Sequence, residues 1–376
     1  MKRMITLVLA LAMVLSLAAC GGGDTTPPAG TAPQTTQPAG TTPVSADPAG
    51  AGTRSFTDSV GRTVEVPAEI TRIAPSGPLA QMVLFALAPD MFVGVANEWS
   101  KDAEQYLDTE YYNLPLVGQL YGGQEAMNLE TLAAADPQVI IDVGEPKDSI
   151  VEDLDELQAQ TGIPYVHITA TIQTMGDAYR KLGELLGLEE EGEAIASYCE
   201  NTYNEILALM DEVGEENKAR VLYCLGDTGT NIIATGSYHS EILDLMTNNL
   251  AVVDSPSSKG TGNESDMEQF YLWDPDYIIF APESVYSLVG DDPAWQELHA
   301  IAEGNYCEVP NGPYNWMGFP PSVQRILGML WLGKQLYPDQ ADYDLYEKVA
   351  EYYDIFYHCD LTQEQYDALT ANSLHQ

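Results

Sequence analysis

Two stretches of the chain decide the fold: Glu130-Thr-Leu-Ala-Ala-Ala-Asp-Pro-Gln-Val-Ile-Ile141 and Glu268-Gln-Phe-Tyr-Leu-Trp-Asp-Pro-Asp-Tyr-Ile-Ile279. In each stretch, a glutamate opens a short helical segment, an Asp-Pro pair ends it, and an apolar strand segment follows. Proline stops a helix and pushes the residue before it towards extended geometry. The repeated unit therefore predicts two related lobes, in each of which a short helix leads into a buried strand.

Strand-like and helix-like segments alternate on both sides of these two units. Apolar, β-prone runs predict strands at 70–74, 92–95, 139–143, 165–168, 221–225, 232–234, 277–280 and 306–309. The runs between them predict helices at 79–88, 129–135, 150–161, 175–186, 240–246, 267–273 and 322–336. Alternating strands and helices are typical of parallel sheets covered on both faces. The sequence thus predicts an α/β fold with two Rossmann-like lobes and mainly parallel sheets.

Residues 189–213 are predicted to form one long α-helix that joins the lobes. This run contains no proline, and its acidic start suits the positive end of the helix dipole. We therefore expect an N-terminal α/β lobe over 55–188, the linking helix, and a C-terminal α/β lobe with a helical tail over 214–376. The alternative is an ordinary surface helix that belongs to one lobe.

The start of the chain has the features of an exported protein. Two basic residues precede an apolar run over 5–17, which ends in small residues before Cys20. This arrangement resembles a bacterial lipoprotein signal peptide over 1–19. The resemblance implies lipid on Cys20 and an extracytoplasmic protein anchored to the cell membrane. The alternative is a plain signal peptide with an incidental cysteine. Residues 20–54 are mostly small or polar and predict a disordered tether.

The composition limits the partners of the folded body. The chain has 57 acidic and 15 basic residues and a formal charge of −42, which argues against nucleic acid and anionic lipid headgroups. Solubility alone is the alternative explanation of this charge. The four later cysteines have no close CxxC spacing, so a zinc site is not expected, and their disulfide state stays open. They are Cys199, Cys224, Cys307 and Cys359.

Four further segments carry a resemblance to a known family. They are 56–67 with its Gly-Arg turn, Arg72 to Gly77 before a helix, Trp316 to Ser322 with its Pro-Pro pair, and Leu330-Trp331-Leu332. Together with the two Glu-to-Asp-Pro units, they resemble the class III, helical-backbone (TroA-like) binding lipoproteins of ABC importers for ferric siderophores, haem and vitamin B12. The resemblance implies a monomeric periplasmic binding protein that has no catalytic activity and no cofactor. It also implies an ABC permease and its ATPase as partners.

The resemblance implies a docking role for one glutamate of each lobe. In such proteins, a glutamate on the outer face of each lobe meets arginines of the permease, and Glu130 and Glu268 occupy the matching positions. Two ion pairs at a fixed separation would give register and steering, although a single surface pair contributes little. The alternative is that both glutamates only favour the starts of their helices.

The ligand is expected between the lobes, near the carboxyl ends of the strands. Loop residues there offer backbone N–H groups, aromatic surfaces and one cation. The candidates for ligand binding are Ser76, Gly77, Trp99, Tyr121, Tyr238, His239, Tyr314, Trp316 and Arg325.

Trp316 and Arg325 are expected to face the ligand together. Trp316 lies in a turn-rich loop before Pro320-Pro321, and Arg325 follows about one helical turn into the next helix. A free indole and a guanidinium would suit a flat ligand with an acidic edge. Alanine variants would then lose affinity with little change in melting temperature. The alternative is that Trp316 fills the core and Arg325 pairs with a surface carboxylate.

The scarcity of cations favours a neutral or weakly charged ligand. A hydroxamate ferric siderophore, a corrinoid or haem fits this expectation better than a tri-anionic catecholate chelate. A small oxyanion such as molybdate or tungstate stays an alternative, because a helix N-terminus suits it. A metal-ion binder is disfavoured by five scattered histidines, and a secreted hydrolase by the absence of Gly-x-Ser-x-Gly, Ser-x-x-Lys and His-Glu-x-x-His motifs.

Overall fold

The computed structural model describes residues 52–121 and 126–373. The signal peptide, Cys20 and nearly all of the tether lie outside the described residues, so the lipid anchor stays a prediction. The strands of the N-terminal lobe are β1 (Thr53–Thr57), β2 (Thr63–Pro67), β3 (Ile73–Pro75), β4 (Val139–Gly144) and β5 (Tyr165–Thr169). Its helices are α1 (Pro78–Leu87), α2 (Thr109–Tyr112), α3 (Leu129–Ala135), α4 (Ile150–Thr161) and α5 (Met175–Leu186).

The linking helix α6 (Glu189–Val213) leads into the C-terminal lobe. Its strands are β6 (Arg220–Leu225), β7 (Asn231–Ile232), β8 (Asn248–Asn249), β9 (Asn263–Glu264), β10 (Tyr277–Phe280) and β11 (Tyr306–Glu308). Its helices are α7 (Glu241–Met246), α8 (Met267–Trp273), α9 (Tyr286–Val289), α10 (His299–Ala302), α11 (Arg325–Leu336), α12 (Leu345–Tyr357) and α13 (Gln363–Leu369).

The repeated helix, Asp-Pro and strand unit occurs in both lobes. Asp136 and Asp274 adopt left-handed backbone conformations with φ of 53° and 43°, and each ends its helix. Aspartate tolerates this conformation better than bulky residues do. The side chains of Asn128 and Asp266 accept hydrogen bonds from the first-turn N–H groups of α3 and α8. The same local chemistry therefore begins and ends both helices.

Parallel strand pairs form the centre of each lobe. In the N-terminal lobe, β3, β4 and β5 are parallel in that order. In the C-terminal lobe, the order is β11-β10-β6-β7-β9, with β8 also beside β6. Strands β11, β10, β8 and β6 are parallel, and β7 is antiparallel to its neighbours. The α/β fold class with two Rossmann-like lobes is confirmed.

One predicted strand is absent from the described structure. Phe92 and Val95 make only single bridges, to Ile73 and Leu116. Gly94 lies between them, where an added Cβ would come within 2.6 Å of a methyl carbon of Val117. Glycine weakens a strand and often marks such a close approach. Residues 92–95 therefore pass close beside the sheet without forming a strand of it.

Helix α6 packs against α5 of the first lobe and α11 of the second, which confirms its linking role. Two glycines bring α5 and α6 close together. A Cβ on Gly192 would lie 2.8 Å from the backbone oxygen of Tyr179, and a Cβ on Gly183 would lie 2.8 Å from that of Leu188. Larger residues at either position would push the helices apart. No helix within 52–121 and 126–373 has the length and apolar character needed to cross a membrane.

The helical tail packs against both lobes. Helix α12 packs against α1 of the first lobe and α11 of the second. The ring of Tyr353 packs edge-on against Tyr106, and the ring of Phe356 packs against Tyr179 and Tyr198. The lobes are thus joined by α6 and by α12. The domain boundaries stay a prediction, and the tail contributes to the core of the first lobe as well as the second.

Candidate functional site

Direct hydrogen bonds cross between the lobes. The start of α1 and the loop after β5 meet the start of α7, the turn before it, and the segment between β11 and α11. The cross-lobe bonds join Leu79 with Ser322, Ala170 with Tyr238, Ile172 with Glu241, and Gln81 with Tyr314, at 3.0, 3.4, 3.3 and 3.3 Å. The lobes are therefore in contact along part of the cleft.

A hollow of about 180 Å³ lies on the first lobe at the start of α1. Its position at the carboxyl ends of β3 and β4 is where open α/β sheets bind ligands. No side chain caps the start of α1 at Gly77, and the N–H groups of a first helical turn have no partner within the helix. The hollow is lined by Ser76, Gly77, Pro78, Leu79, Ala80, Gln119, Tyr121, Asp142, Val143, Glu145, Lys147 and Ile150.

A buried polar network forms the floor of this hollow. The hydroxyl of Ser76 donates to Asp142, whose other oxygen lies 2.7 Å from Nδ1 of His167. Nε2 of His167 lies 3.2 Å from the hydroxyl of Thr169. Both carboxylate oxygens of Asp142 are thus hydrogen-bonded, which fixes the side chain. Asp142 and His167 were not among the residues predicted from the sequence, although they are polar interruptions of two apolar strands at directly paired positions.

Lys147 and Tyr121 form the rim of the hollow. The ammonium group of Lys147 lies 3.8 Å from the centre of the Tyr121 ring. The Tyr121 hydroxyl donates to Asp153 at 2.5 Å. Burial and this hydrogen bond raise the pKa of Tyr121, and the same bond lowers the pKa of Asp153. Tyr121 is therefore held as a neutral phenol beneath a cation.

A buried charged cluster occupies the facing side of the second lobe. Arg325 is 0% exposed, and its Nη1 lies 2.6 Å from a carboxylate oxygen of Glu241. Its guanidinium carbon lies 4.9 Å from the centre of the Tyr238 ring, and Nη1 donates to the Tyr238 backbone oxygen at 3.3 Å. Nε donates to the backbone oxygen of Ser322, whose hydroxyl reaches Leu79 in the first turn of α1. Two hydrogen bonds, one from Arg325 to Ser322 and one from Ser322 to Leu79, therefore connect Arg325 with the residues that line the first hollow.

A second hollow of about 440 Å³ lies at the carboxyl ends of β6 and β10. Asparagine side chains and the ring of Phe319 provide much of its wall. The residues that line it are Leu225, Gly226, Asn231, Gly260, Thr261, Ala281, Pro282, Glu283, Asn311, Asn315 and Phe319. None of the candidate residues from the sequence lines this hollow, although Asn315 and Phe319 lie in the loop whose sequence carried the family resemblance.

Comparison with known proteins identifies the family. Residues 84–312 match the family described as periplasmic binding protein. The chain belongs to the periplasmic binding protein family. Within it, the protein is of the class III, TroA-like type that serves ABC transporters. Such proteins bind small solutes outside the cytoplasm and work with an ABC permease and ATPase.

Two relatives of this periplasmic binding protein cover almost its whole folded body. Molybdate-binding protein MolA of Haemophilus influenzae is 23% identical over 334 residues, which are 81% of this chain and 91% of the relative. An ABC transporter solute binding protein from Sulfurospirillum deleyianum is 28% identical, with a TM-score of 0.77 over 85% of this chain and 99% of the other. The structure of MolA bound to molybdate is 20% identical, with a TM-score of 0.66 over 82% of this chain and 99% of the other. At that identity, the last comparison supports the fold alone.

Four of the predicted residues lie at the cleft of this binding protein. Ser76, Gly77 and Tyr121 line the first hollow. Tyr238 contacts Arg325 and donates to Ala170 across the cleft. Their contact with ligand stays a prediction.

His239 and two other predicted aromatics lie in packed surroundings. His239 is buried and stacks on Phe319 with ring centres 4.9 Å apart, and burial lowers its pKa. Trp99 is buried, and its indole N–H donates to the backbone oxygen of Tyr111 at 3.1 Å. The Trp99 ring packs 5.9 Å from that of Tyr314, which accepts from Gln81. These rings therefore pack behind the residues that line the cleft.

Trp316 is not free at the cleft mouth. It is 1% exposed, and its backbone oxygen lies against α11, where a Cβ on Gly328 would come within 2.2 Å of it. The expected open position was wrong because close packing of the loop on α11 turns the indole inward. Arg325 is likewise buried, and it pairs with Glu241 of its own lobe instead of standing open to solvent.

The described residues form no metal-binding group and no disulfide. Within 52–121 and 126–373, no three His, Cys, Asp or Glu side chains are grouped so that they could hold a metal ion. The four cysteines Cys199, Cys224, Cys307 and Cys359 are free thiols. Burial raises the pKa of Cys307 to about 12, so this thiol stays protonated.

Proposed function

We propose that the solute captured by this importer component is a small oxyanion of the molybdate or tungstate type. The observation that carries the proposal is the size and position of the hollow at the start of α1. Its volume of about 180 Å³ is below the roughly 300–1,000 Å³ typical of pockets for drug-sized ligands. A corrinoid, haem or ferric siderophore fits this space less well than a small anion. The name of the relative MolA supports the same ligand class.

The chemistry of the hollow supports an anion at the helix start. An uncapped helix N-terminus offers backbone N–H groups and a positive dipole end to an anion. Lys147 lies at the rim, and Arg325 lies behind Ser322. Asp142 and Glu145 oppose an anion, but the carboxylate of Asp142 already accepts hydrogen bonds from Ser76 and His167. The opposing charge is therefore partly compensated within the hollow.

Calorimetric titration of the purified protein tests this proposal. We expect one molybdate or tungstate per molecule and affinity that weakens as ionic strength rises, because charges near a surface are screened by salt. Lys147→Gln should weaken binding at least threefold, whereas Lys348→Gln, which removes a cation paired with Glu205 on the linking helix, should leave it unchanged. Binding of cobinamide or a ferric hydroxamate, with no response to either oxyanion, would overturn the proposal in favour of a chelate.

We also infer that Glu130 and Glu268 dock the protein on its permease. Both residues are exposed in the first turns of α3 and α8, and neither lines either hollow. Charge reversal of both to lysine should leave ligand affinity in solution nearly unchanged and impair uptake, with the double variant most affected. Uptake into vesicles that contain the permease and ATPase measures this effect.

The matched control for docking is Glu216→Lys, which reverses an exposed charge in the turn after α6. It should support uptake at the wild-type rate. A tenfold loss of ligand affinity in solution, about 1.4 kcal/mol, in Glu130→Lys or Glu268→Lys would place that carboxylate at the ligand instead.

A further inference from the structure

A second cation near the proposed anion site, behind Lys147 of the rim, is already neutralised. Arg325 is fully buried, and the Glu241 carboxylate lies 2.6 Å from its Nη1. Burying two charges costs solvation that only good geometry and further hydrogen bonds offset. For Glu241, one of these further hydrogen bonds comes from the opposite lobe, because its carboxylate also accepts the backbone N–H of Ile172 at 3.3 Å.

The surroundings of Glu241 are those of an anion-binding site. A guanidinium from α11 and a backbone N–H from the loop after β5 converge on one carboxylate. An oxyanion recognises the same two kinds of donor. Glu241 belongs to the first turn of α7, which its charge also favours. The carboxylate thus occupies a position at the lobe interface that suits a small anion.

We propose that the Glu241 carboxylate takes the place of the ligand in the unliganded protein. It pairs with Arg325 and hydrogen-bonds to the opposite lobe until an oxyanion replaces it. This inference rests on the proposed function and adds a residue that sets the affinity. An anion that enters through the hollow at the start of α1 then moves on to the guanidinium and the Ile172 N–H at the lobe interface, and the Glu241 side chain turns away. The measured affinity for the anion is then lower than the affinity that the site would have without competition from Glu241.

The charges around Glu241 act on it in opposite directions. Burial raises the pKa of Glu241, Arg325 opposes this rise, and Glu145, which follows β4, adds to it. Tyr203 of α6 and Tyr238 before α7 are the neighbouring phenols. Arg325 is therefore the group that holds the Glu241 carboxylate at the lobe interface.

The test is molybdate titration of Glu241→Gln, which keeps an oxygen for the Ile172 N–H and removes the competing charge. We expect its affinity for molybdate to rise at least tenfold over wild type. Glu241→Asp keeps the charge and should show no such gain. Glu283→Gln removes an acidic group from the other hollow of the same lobe and should change affinity less than threefold.

A second measurement follows the contact without ligand. Amide hydrogen exchange at Ile172 should accelerate in Glu241→Ala and stay near the wild-type rate in Glu241→Gln, with thermal melts to establish that both variants fold. An unchanged or weakened affinity in a folded Glu241→Gln variant would overturn the inference and leave the oxyanion proposal standing. If wild type and every variant fail to bind molybdate and tungstate, the proposed function falls and this inference falls with it.

Discussion

Replacing Trp316 with alanine is expected to lower the free energy of unfolding by about 3–5 kcal/mol, the usual cost of removing a buried tryptophan or phenylalanine side chain. The indole is 1% exposed and belongs to the main apolar core, which continues from one lobe to the other. The cavity cannot close easily because the loop backbone lies against Gly328 of α11. Urea denaturation followed by circular dichroism measures the loss.

The matched control for Trp316 is Leu272→Ala, which shortens an apolar side chain that is 80% exposed. Its effect should stay within about 0.5 kcal/mol. A Trp316→Ala variant that loses ligand affinity but unfolds at the wild-type urea concentration would contradict the buried position. That outcome is the one expected for an indole that is free at the cleft mouth, which the sequence left open beside the buried alternative.

Replacing Arg325 with methionine is expected to cost about 3–5 kcal/mol of stability, because removal of one partner leaves the other charge of a buried pair uncompensated. The carboxylate of Glu241 loses its nearest cation, and the ring of Tyr238 loses the guanidinium that lies 4.9 Å from its centre. The same variant should also lose molybdate affinity under the proposed function. Thermal and urea unfolding without ligand measure the stability term separately.

A double-mutant cycle separates the ion pair from other effects of the Arg325 change. Glu241→Gln combined with Arg325→Met should be less destabilised than the sum of the two single variants, with a coupling energy of roughly 0.5–3 kcal/mol. The exposed pair of Arg220 and Asp276, 3.3 Å apart, should show at most about 1 kcal/mol in the same cycle. Equal coupling in the two pairs would mean that solvent screens Arg325 as it screens a surface cation.

The architecture could be predicted because it follows from local chemistry. Proline cannot continue a helix, so the Asp-Pro pairs at 136–137 and 274–275 each end one, and two such units with apolar strands imply two lobes. Helix α6 was predicted at Glu189–Val213 from the absence of proline and from its acidic start, and the helix has these bounds. Helix α11 begins at Arg325, later than the predicted start at Ser322, because residues 322–324 form a turn before it.

The candidate site could be predicted only in part because its contacts are long-range. The sequence indicated which loops follow strands, so Ser76, Gly77 and Tyr121 were placed correctly beside a hollow. The side that Trp316 faces depends on its approach to α11, and the partner of Arg325 lies on a different helix. Periodicity and turn signals carry no information about either contact.

The packing of α12 on the first lobe also constrains the order of synthesis and folding. Tyr353 and Phe356 complete aromatic contacts with Tyr106 and Tyr179, yet they are synthesised long after these partners. A nascent chain that lacks them exposes apolar surface on its first lobe, so we expect that lobe to stay loosely folded until α12 has been synthesised. Under the predicted export of the protein as an extended chain, this delay would keep the polypeptide competent for secretion.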